Sequence, residues 1–180
     1  GGTLQQLPGS AAETRAIELV VSRDPTLGEF VVLSEGEATE QALRRAIAGK
    51  RYVHLATHGL VHERRGDLFS ALALAPSVDS SETSTENDGF LHLEEVDSLP
   101  LTAAELAVLS ACDTNVGESV AGEGVFAIAR GFLVAGARRV VASQWSVSDA
   151  STAVLMGAFF ERIVQDEQAG RDIDFAAALK

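Results

Sequence analysis

One cysteine and one histidine stand where thiol chemistry would need them. Cys112 is the only cysteine of the 180 residues, and it follows the most strand-like run, residues 106–111 (LAVLSA). His58 follows a second apolar run, residues 52–57 (YVHLAT). A thiolate is a strong nucleophile, and a free imidazole, which titrates at about pH 6.5, is a suitable base for it. The pair is what a thiol protease needs, with Cys112 attacking a carbonyl carbon and His58 moving the proton.

Gly59 fits the same chemistry, because a residue without a Cβ lets a peptide backbone approach closely. Its N–H, with that of Cys112, could bind the oxyanion of a tetrahedral intermediate. The residues alone also allow a structural interpretation. A cysteine in an apolar strand is often a small buried side chain, and a histidine after a strand often belongs to a turn.

A metal site is the first competing chemistry. His54 and His58 are four residues apart on one face of a predicted strand. Zinc would need further ligands, which only Cys112, Asp113 or His62 could supply. We therefore expect no metal.

Two glycine-containing segments only approach known motifs. Residues 117–121 (GESVA) lack the final glycine of the nucleophile elbow of serine hydrolases. Residues 122–124 (GEG) lack the third glycine of a dinucleotide fingerprint and the lysine of a P-loop. The sequence therefore predicts no cofactor.

Composition narrows the class of protein. The 14 Lys and Arg against 26 Asp and Glu give a formal net charge of −12, which argues against a nucleic-acid or anionic-membrane surface. A single cysteine excludes an intramolecular disulfide framework. No apolar run of about 18 residues is present, and no signal-peptide pattern begins the chain. These features predict a soluble, cytoplasmic domain.

Helical and strand patterns alternate along the chain. Residues 1–9 are expected to be a disordered lead-in or a cloning remnant, and residues 10–180 to be one domain. Ser10 is expected to cap the first helix. A final helix without a cap suggests a piece of a longer protein.

The alternation of helices and strands predicts an α/β fold, with a mostly parallel sheet covered by helices on both faces. Ligands of such sheets bind outside the carboxyl ends of the strands. The predicted helices begin at residues 10, 39, 91, 124, 149 and 174, and the predicted strands span residues 30–33, 52–57, 68–74, 106–111 and 139–143.

The sequence around the two candidate residues resembles the signature segments of the CHAT domain. These are residues 52–59 (YVHLATHG) and 109–114 (LSACDT). The resemblance continues through residues 122–125 (GEGV), 129–133 (ARGFL), 135–143 (AGARRVVAS) and 145–150 (WSVSDA). CHAT domains are caspase-like cysteine peptidases related to separase, often found in bacteria beside helical repeats. Asn115 and Ser148 depart from the residues common at their positions, a glycine and an aspartate.

The resemblance implies a caspase-like three-layer sandwich in which His58 is the catalytic histidine and Cys112 the nucleophile. It also implies that the segment from Ser143 to Asp149, including Gln144 and Trp145, lines the primary substrate pocket. One or both of Asp113 and Asp149 would make that pocket negative and favour Lys or Arg before the cleaved bond, although Asp113 could instead be only a loop carboxylate beside the nucleophile. Asp149 could instead cap the following helix, and Trp145 could instead belong to the core.

The function expected from these features is a cysteine endopeptidase that acts on a protein substrate without a cofactor. A partner, or a helical-repeat region outside this chain, would regulate it. The alternative is a pseudoprotease, a catalytically silent binding module of the same fold. A third interpretation is a zymogen in which the polar residues 79–88 are cleaved or ordered on activation.

Overall fold

The structure is a computed structural model that describes residues 7–64, 67–77, 87–113, 118–143 and 149–180. The chain divides into two compact units. One unit comprises Leu33–Ser146 and contains the β-sheet, and the other comprises Gly1–Val32 and Val147–Lys180. Each unit is described by itself below.

The sheet unit has five described strands in the order β3-β2-β1-β4-β5. β1 pairs with β4, and β4 with β5, in parallel, whereas β1–β2 and β2–β3 are antiparallel. The α/β prediction is therefore confirmed, but only the β1–β4–β5 half of the sheet is parallel. The reason is that β1 continues well past residue 57, so that β2 can return beside it as an antiparallel neighbour. The strands are β1 (Tyr52–Arg64), β2 (Asp67–Ala73), β3 (Phe90–His92), β4 (Leu106–Asp113) and β5 (Val140–Ala142).

The helices of both units are α1 (Pro8–Val21), α2 (Glu40–Ile47), α3 (Leu93–Val96), α4 (Glu118–Val134), α5 (Asp149–Gln168) and α6 (Phe175–Ala178). Among the described residues no helix is long and apolar enough to cross a bilayer. Short 3-10 turns occupy Pro25–Leu27 and Glu35–Glu37.

One face of the sheet packs against helices of its own unit, because α4 contacts β1, β2, β4 and β5. Val53 on β1 and Leu109 on β4 belong to the resulting core, together with Phe132 of α4, which is fully buried. Side chains alternate between the two faces of a strand. Positions 58 and 112 therefore lie on the face of the sheet opposite to this core.

Two predicted helix ends are confirmed. The Thr39 hydroxyl accepts a hydrogen bond of 3.2 Å from the N–H of Ala42 and so caps α2. Gly136 follows α4 with φ +113°, a conformation that L side chains rarely adopt. The first helix differs from its prediction. It begins at Pro8, and Ser10 lies inside it with its hydroxyl on the carbonyl of Leu7 at 2.8 Å, so Ser10 does not cap it.

Residues 30–33 do not form the predicted buried strand. Phe30, Val31 and Val32 are 45%, 49% and 38% exposed, and no described strand pairs with them. An apolar run of four residues forms a strand only where a neighbouring strand takes up its backbone hydrogen bonds. The predicted helix over residues 91–99 is also shorter than expected, because Leu91 is buried in β3 and only Leu93–Val96 is α-helical.

Candidate active site

The register between β1 and β4 brings the two candidate catalytic positions together. His58 pairs directly with Cys112, and Gly59 pairs with Asp113. Neighbouring strands lie about 4.8 Å apart, and paired positions share one face of the pleat. The backbone therefore holds positions 58 and 112 side by side, although they are 54 residues apart in the sequence.

β4 carries position 112 and pairs with two neighbouring strands. It pairs with β1 from Leu106 to Asp113 and with β5 from Ala107 to Leu109. Leu106 and Val108 on one face, and Ala107 and Leu109 on the other, are all at most 3% exposed. Continuous apolar residues are typical of a strand that is buried on both faces. Cys112 stands near the carboxyl end of this strand, which ends at Asp113.

β1 is different, because His58 lies in the middle of the strand and not after it. Up to Gly59 the strand pairs with β4, and from Gly59 to Arg64 it pairs with β2. The histidine is 8% exposed. The sequence missed the continuation because residues 58–64 (HGLVHER) are largely polar or flexible and carry no apolar run.

Gly59 is not required by the fold. A Cβ placed on it would lie 3.6 Å from the Cβ of Ala111, which is an ordinary van der Waals contact. Its φ lies outside the left-handed region that favours glycine. The absence of a side chain at this position therefore has no explanation in packing, but it does leave the backbone open to close approach.

The structure describes only some of the remaining predicted pocket residues. Asp113 is paired with Gly59, at the same level as the candidate dyad. Ser143 follows β5 and is half-buried; the preceding residue, Ala142, pairs with Leu109. Gln144 and Trp145 lie outside the described residues.

Asp149 is the first residue of α5 and belongs to the other compact unit. The four positions that the structure brings together are thus His58, Gly59, Cys112 and Asp113.

Sequence reasoning missed a hydrogen bond beside the histidine. The hydroxyl of Thr57 donates to the backbone carbonyl of Ala73, the last residue of β2. A threonine in a strand gives no signal of its own, because its partner is fixed only by the β1–β2 register.

Sequence reasoning also missed a buried pair of carboxyl groups, Glu40 on α2 and Glu95 on α3. Glu40 is 1% exposed, and its Oε1 accepts a hydrogen bond of 3.1 Å from the N–H of Gly89. Within the described structure, Glu40 Oε2 and Glu95 Oε1 have no hydrogen-bond donor. The pKa of Glu40 is raised to about 7, chiefly by burial and in addition by the neighbouring Glu95, whereas the hydrogen bond from the Gly89 N–H lowers it. A proton on one of the two carboxyls supplies the missing donor.

No group of three or more His, Cys, Asp or Glu is arranged as metal ligands would be in the part of the chain that the structure describes. His54 lies on β1 four residues before His58, where it pairs with Val108 of β4.

A comparison with known protein families identifies the family of this chain. A sequence model described as "CHAT domain" matches residues 1–178. The chain belongs to the CHAT domain family. The predicted resemblance is thereby confirmed. The CHAT family is caspase-like and related to cysteine peptidases, and the five-stranded α/β sheet is consistent with its fold.

A curated relative of this CHAT domain is a human protein named "Tetratricopeptide repeat protein 28". The two are 25% identical over 193 residues, which cover 91% of this chain and 7% of the relative. The CHAT domain therefore spans only a small part of that relative's length.

Proposed function

We propose that this CHAT domain is a cysteine endopeptidase that hydrolyses a peptide bond in a protein substrate. The observation that carries the proposal is the direct pairing of His58 with Cys112 across β1 and β4. Family membership supports it, because CHAT domains are related to cysteine peptidases.

The reaction proceeds through a covalent intermediate. His58 accepts the proton of the Cys112 thiol, and the sulfur attacks the carbonyl carbon of the scissile peptide. The N–H groups of Gly59 and Cys112 hold the oxyanion. As the C–N bond breaks, the imidazolium gives its proton to the leaving amine. His58 then takes a proton from water as the hydroxide attacks the thioester carbonyl. The C–S bond breaks, the imidazolium returns its proton to the Cys112 sulfur, and the free acid leaves.

Asp113 is proposed to give the substrate pocket a preference for Lys or Arg before the cleaved bond. Asp113 has support from its pairing with Gly59. Ser143, Gln144 and Trp145 are proposed to line the same pocket. Profiling a peptide library tests this preference, and Asp113→Asn should weaken it. A preference for Leu or Met would refute the acidic pocket.

Regulation is proposed to come from outside this chain. The human relative is named for tetratricopeptide repeats, which are helical, and a comparable region could control access to the dyad.

Residues 78–86 lie outside the described residues. The proposal that residues 79–88 are processed predicts two fragments in purified wild type and one in Cys112→Ala. We propose a cytoplasmic location, where thiols are kept reduced and the lone Cys112 would stay free for reaction.

The decisive experiment is a peptidase assay on wild type, Cys112→Ala and His58→Ala. Each substitution should abolish turnover, because the members of a nucleophile–base pair act as a unit. His92→Ala is the matched control, since His92 lies in the same unit on β3 and bonds to Asp88 at 3.2 Å instead of facing Cys112. An active Cys112→Ala variant would refute the mechanism. Wild type that binds peptides but is not labelled by a thiol-reactive peptide probe would identify the silent binding module.

A further inference from the structure

β1 changes its partner at the residue that follows the candidate base. The β1–β4 ladder ends at Gly59–Asp113, and the β1–β2 ladder begins at Gly59–Leu72. Continuing the antiparallel register by one step would pair His58 with Ala73, but the ladder stops before it. His58 therefore stands one residue before the β1–β2 ladder begins, next to the point at which β1 changes its partner strand, which is called the fork below.

The Thr57 side chain forms a hydrogen bond between β1 and β2 at this fork. The half-buried Thr57 donates its hydroxyl to the carbonyl of Ala73, one residue beyond the last backbone pair of the ladder. Thr57 lies on the face of β1 that carries Val53 of the helix-covered core, and His58 lies on the other face. The bond therefore ties the strand without occupying the face from which the imidazole acts.

The acceptor is itself held in place. Ala73 pairs with Phe90 of β3, and the next residue, Leu74, donates its N–H to the carbonyl of Gly89 at 2.8 Å. Gly89 in turn donates to the buried carboxyl of Glu40. Because the Ala73 carbonyl is held in place, the Thr57 hydroxyl that bonds to it can restrain β1.

We propose that Thr57 is a positioning residue, whose hydrogen bond to Ala73 fixes the backbone from which His58 reaches Cys112. The inference rests on the proposed dyad. The β4–β5 ladder ends at Leu109, so the described ladder at position 112 is the one with β1, and the Thr57 hydroxyl joins β1 to β2 one residue before His58. A misplacement of about 1 Å can cost about 100-fold in rate, so a tie at the adjacent residue affects proton transfer without touching substrate.

The single cysteine makes a direct test possible, because iodoacetamide then labels Cys112 alone. The alkylation rate is measured from pH 5 to 9 on the whole chain for wild type, His58→Ala, Thr57→Val and Thr57→Ser. Thr57→Val keeps the β-branched shape and removes the donor, and Thr57→Ser keeps the donor. Ser98→Ala is the matched control, since it removes a hydroxyl that donates to the Glu95 carbonyl at 2.7 Å, away from the fork.

We expect Thr57→Val to lower the alkylation rate at pH 6.5 about tenfold and to shift the rate–pH profile towards that of His58→Ala. Thr57→Ser should stay within about twofold of wild type, and Ser98→Ala should match it, because neither loses the bond to Ala73. Thr57→Ala, a second variant without the hydroxyl, should repeat the effect of Thr57→Val. A purely structural role would lower stability and leave the profile unchanged.

The outcomes separate the two proposals. If His58→Ala has the wild-type profile, the dyad is absent, and both the proposed function and this inference are overturned. If His58→Ala is slowed but Thr57→Val and Thr57→Ala behave as wild type, the inference alone is overturned. The same holds if Thr57→Ser is slowed as much as Thr57→Val, since the hydroxyl would then not be the cause.

Discussion

Glu40 Oε1 accepts a hydrogen bond from the N–H of Gly89, and the donor and acceptor are 3.1 Å apart. Gly89 has φ +90°, and a Cβ on it would lie 3.1 Å from the backbone nitrogen of Pro76. Gly89 and Pro76 lie close to the two ends of the segment 78–86. The Glu40 carboxyl of α2 thus holds the N–H of Gly89, the residue that directly precedes β3.

Glu40→Gln should remove a pH dependence of stability. Because the pKa of Glu40 is raised to about 7, the folded protein binds a proton there that the unfolded chain releases at about pH 4.5. The free energy of unfolding of wild type should therefore fall as pH rises from about 4.5 to about 7. Glutamine supplies a permanent donor towards Glu95. Urea unfolding should show that the variant gains roughly 2 kcal/mol on wild type between pH 5 and pH 8.

Charged groups near Glu40 also influence the pH dependence of stability. Glu95 and Asp88 both raise its pKa, and Glu95 in turn has Arg44 Nη2 at 4.0 Å from its Oε1. Glu105→Gln is the control, because Glu105 forms an exposed pair with Arg51. Equal pH dependence in wild type and Glu40→Gln would contradict the assignment.

Gly59→Ala should separate catalysis from folding. The added methyl makes only an ordinary contact with Ala111, and alanine is favoured over glycine in a strand by about 0.5–1 kcal/mol. The free energy of unfolding should therefore be unchanged or higher. The methyl group stands beside the proposed oxyanion N–H, so kcat/KM should fall at least about tenfold. Full activity in this variant would show that substrate does not approach Gly59.

Two helix glycines should respond in opposite directions to alanine. At Gly157 in α5 the new Cβ would lie 3.5 Å from the Cβ of Ala16, and the substitution should stabilise by about 0.5–1 kcal/mol. At Gly131 in α4 it would lie 3.0 Å from Val96 Cγ1 and 3.2 Å from Leu93 Cδ1. Overpacking of about 1–3 kcal/mol should exceed the helix gain there. Thermal unfolding of both variants measures the contrast, and stabilisation by Gly131→Ala would show that α3 can move.

Asp166→Asn should remove an acid-sensitive contribution to stability in the other unit. Asp166 accepts from Arg171 Nε at 2.8 Å and from Arg162 Nε at 3.1 Å, and the Arg171 bond is the main cause of its lowered pKa. This contribution is present above the unfolded pKa of about 4 and is lost as pH falls through the lower folded value. The Tm of the variant should be lower at pH 7, and the difference should shrink below pH 4. Asp172→Asn, at an exposed position, is the control.

Local patterns predicted the elements that carry their own signals. Thr39 and Gly136 bound helices as expected, and residues 106–111 were predicted as a strand because four consecutive apolar residues, 106–109, begin the run. Residues 30–33 show the limit of such patterns. They have strand composition, yet a strand exists only if another segment pairs with it, and this depends on the rest of the chain.

The sequence by itself determined the family, the α/β class and the choice of His58 and Cys112, because residue types and motif order are local properties. The tertiary structure alone decided that these positions pair across β1 and β4, that β1 passes to β2 at Gly59, and that Thr57 bonds to Ala73. It also brought Glu40 against Glu95. The physical reason is that register and burial arise from contacts between segments far apart in the chain. One residue of slip in β1 would turn His58 to the opposite face of the sheet.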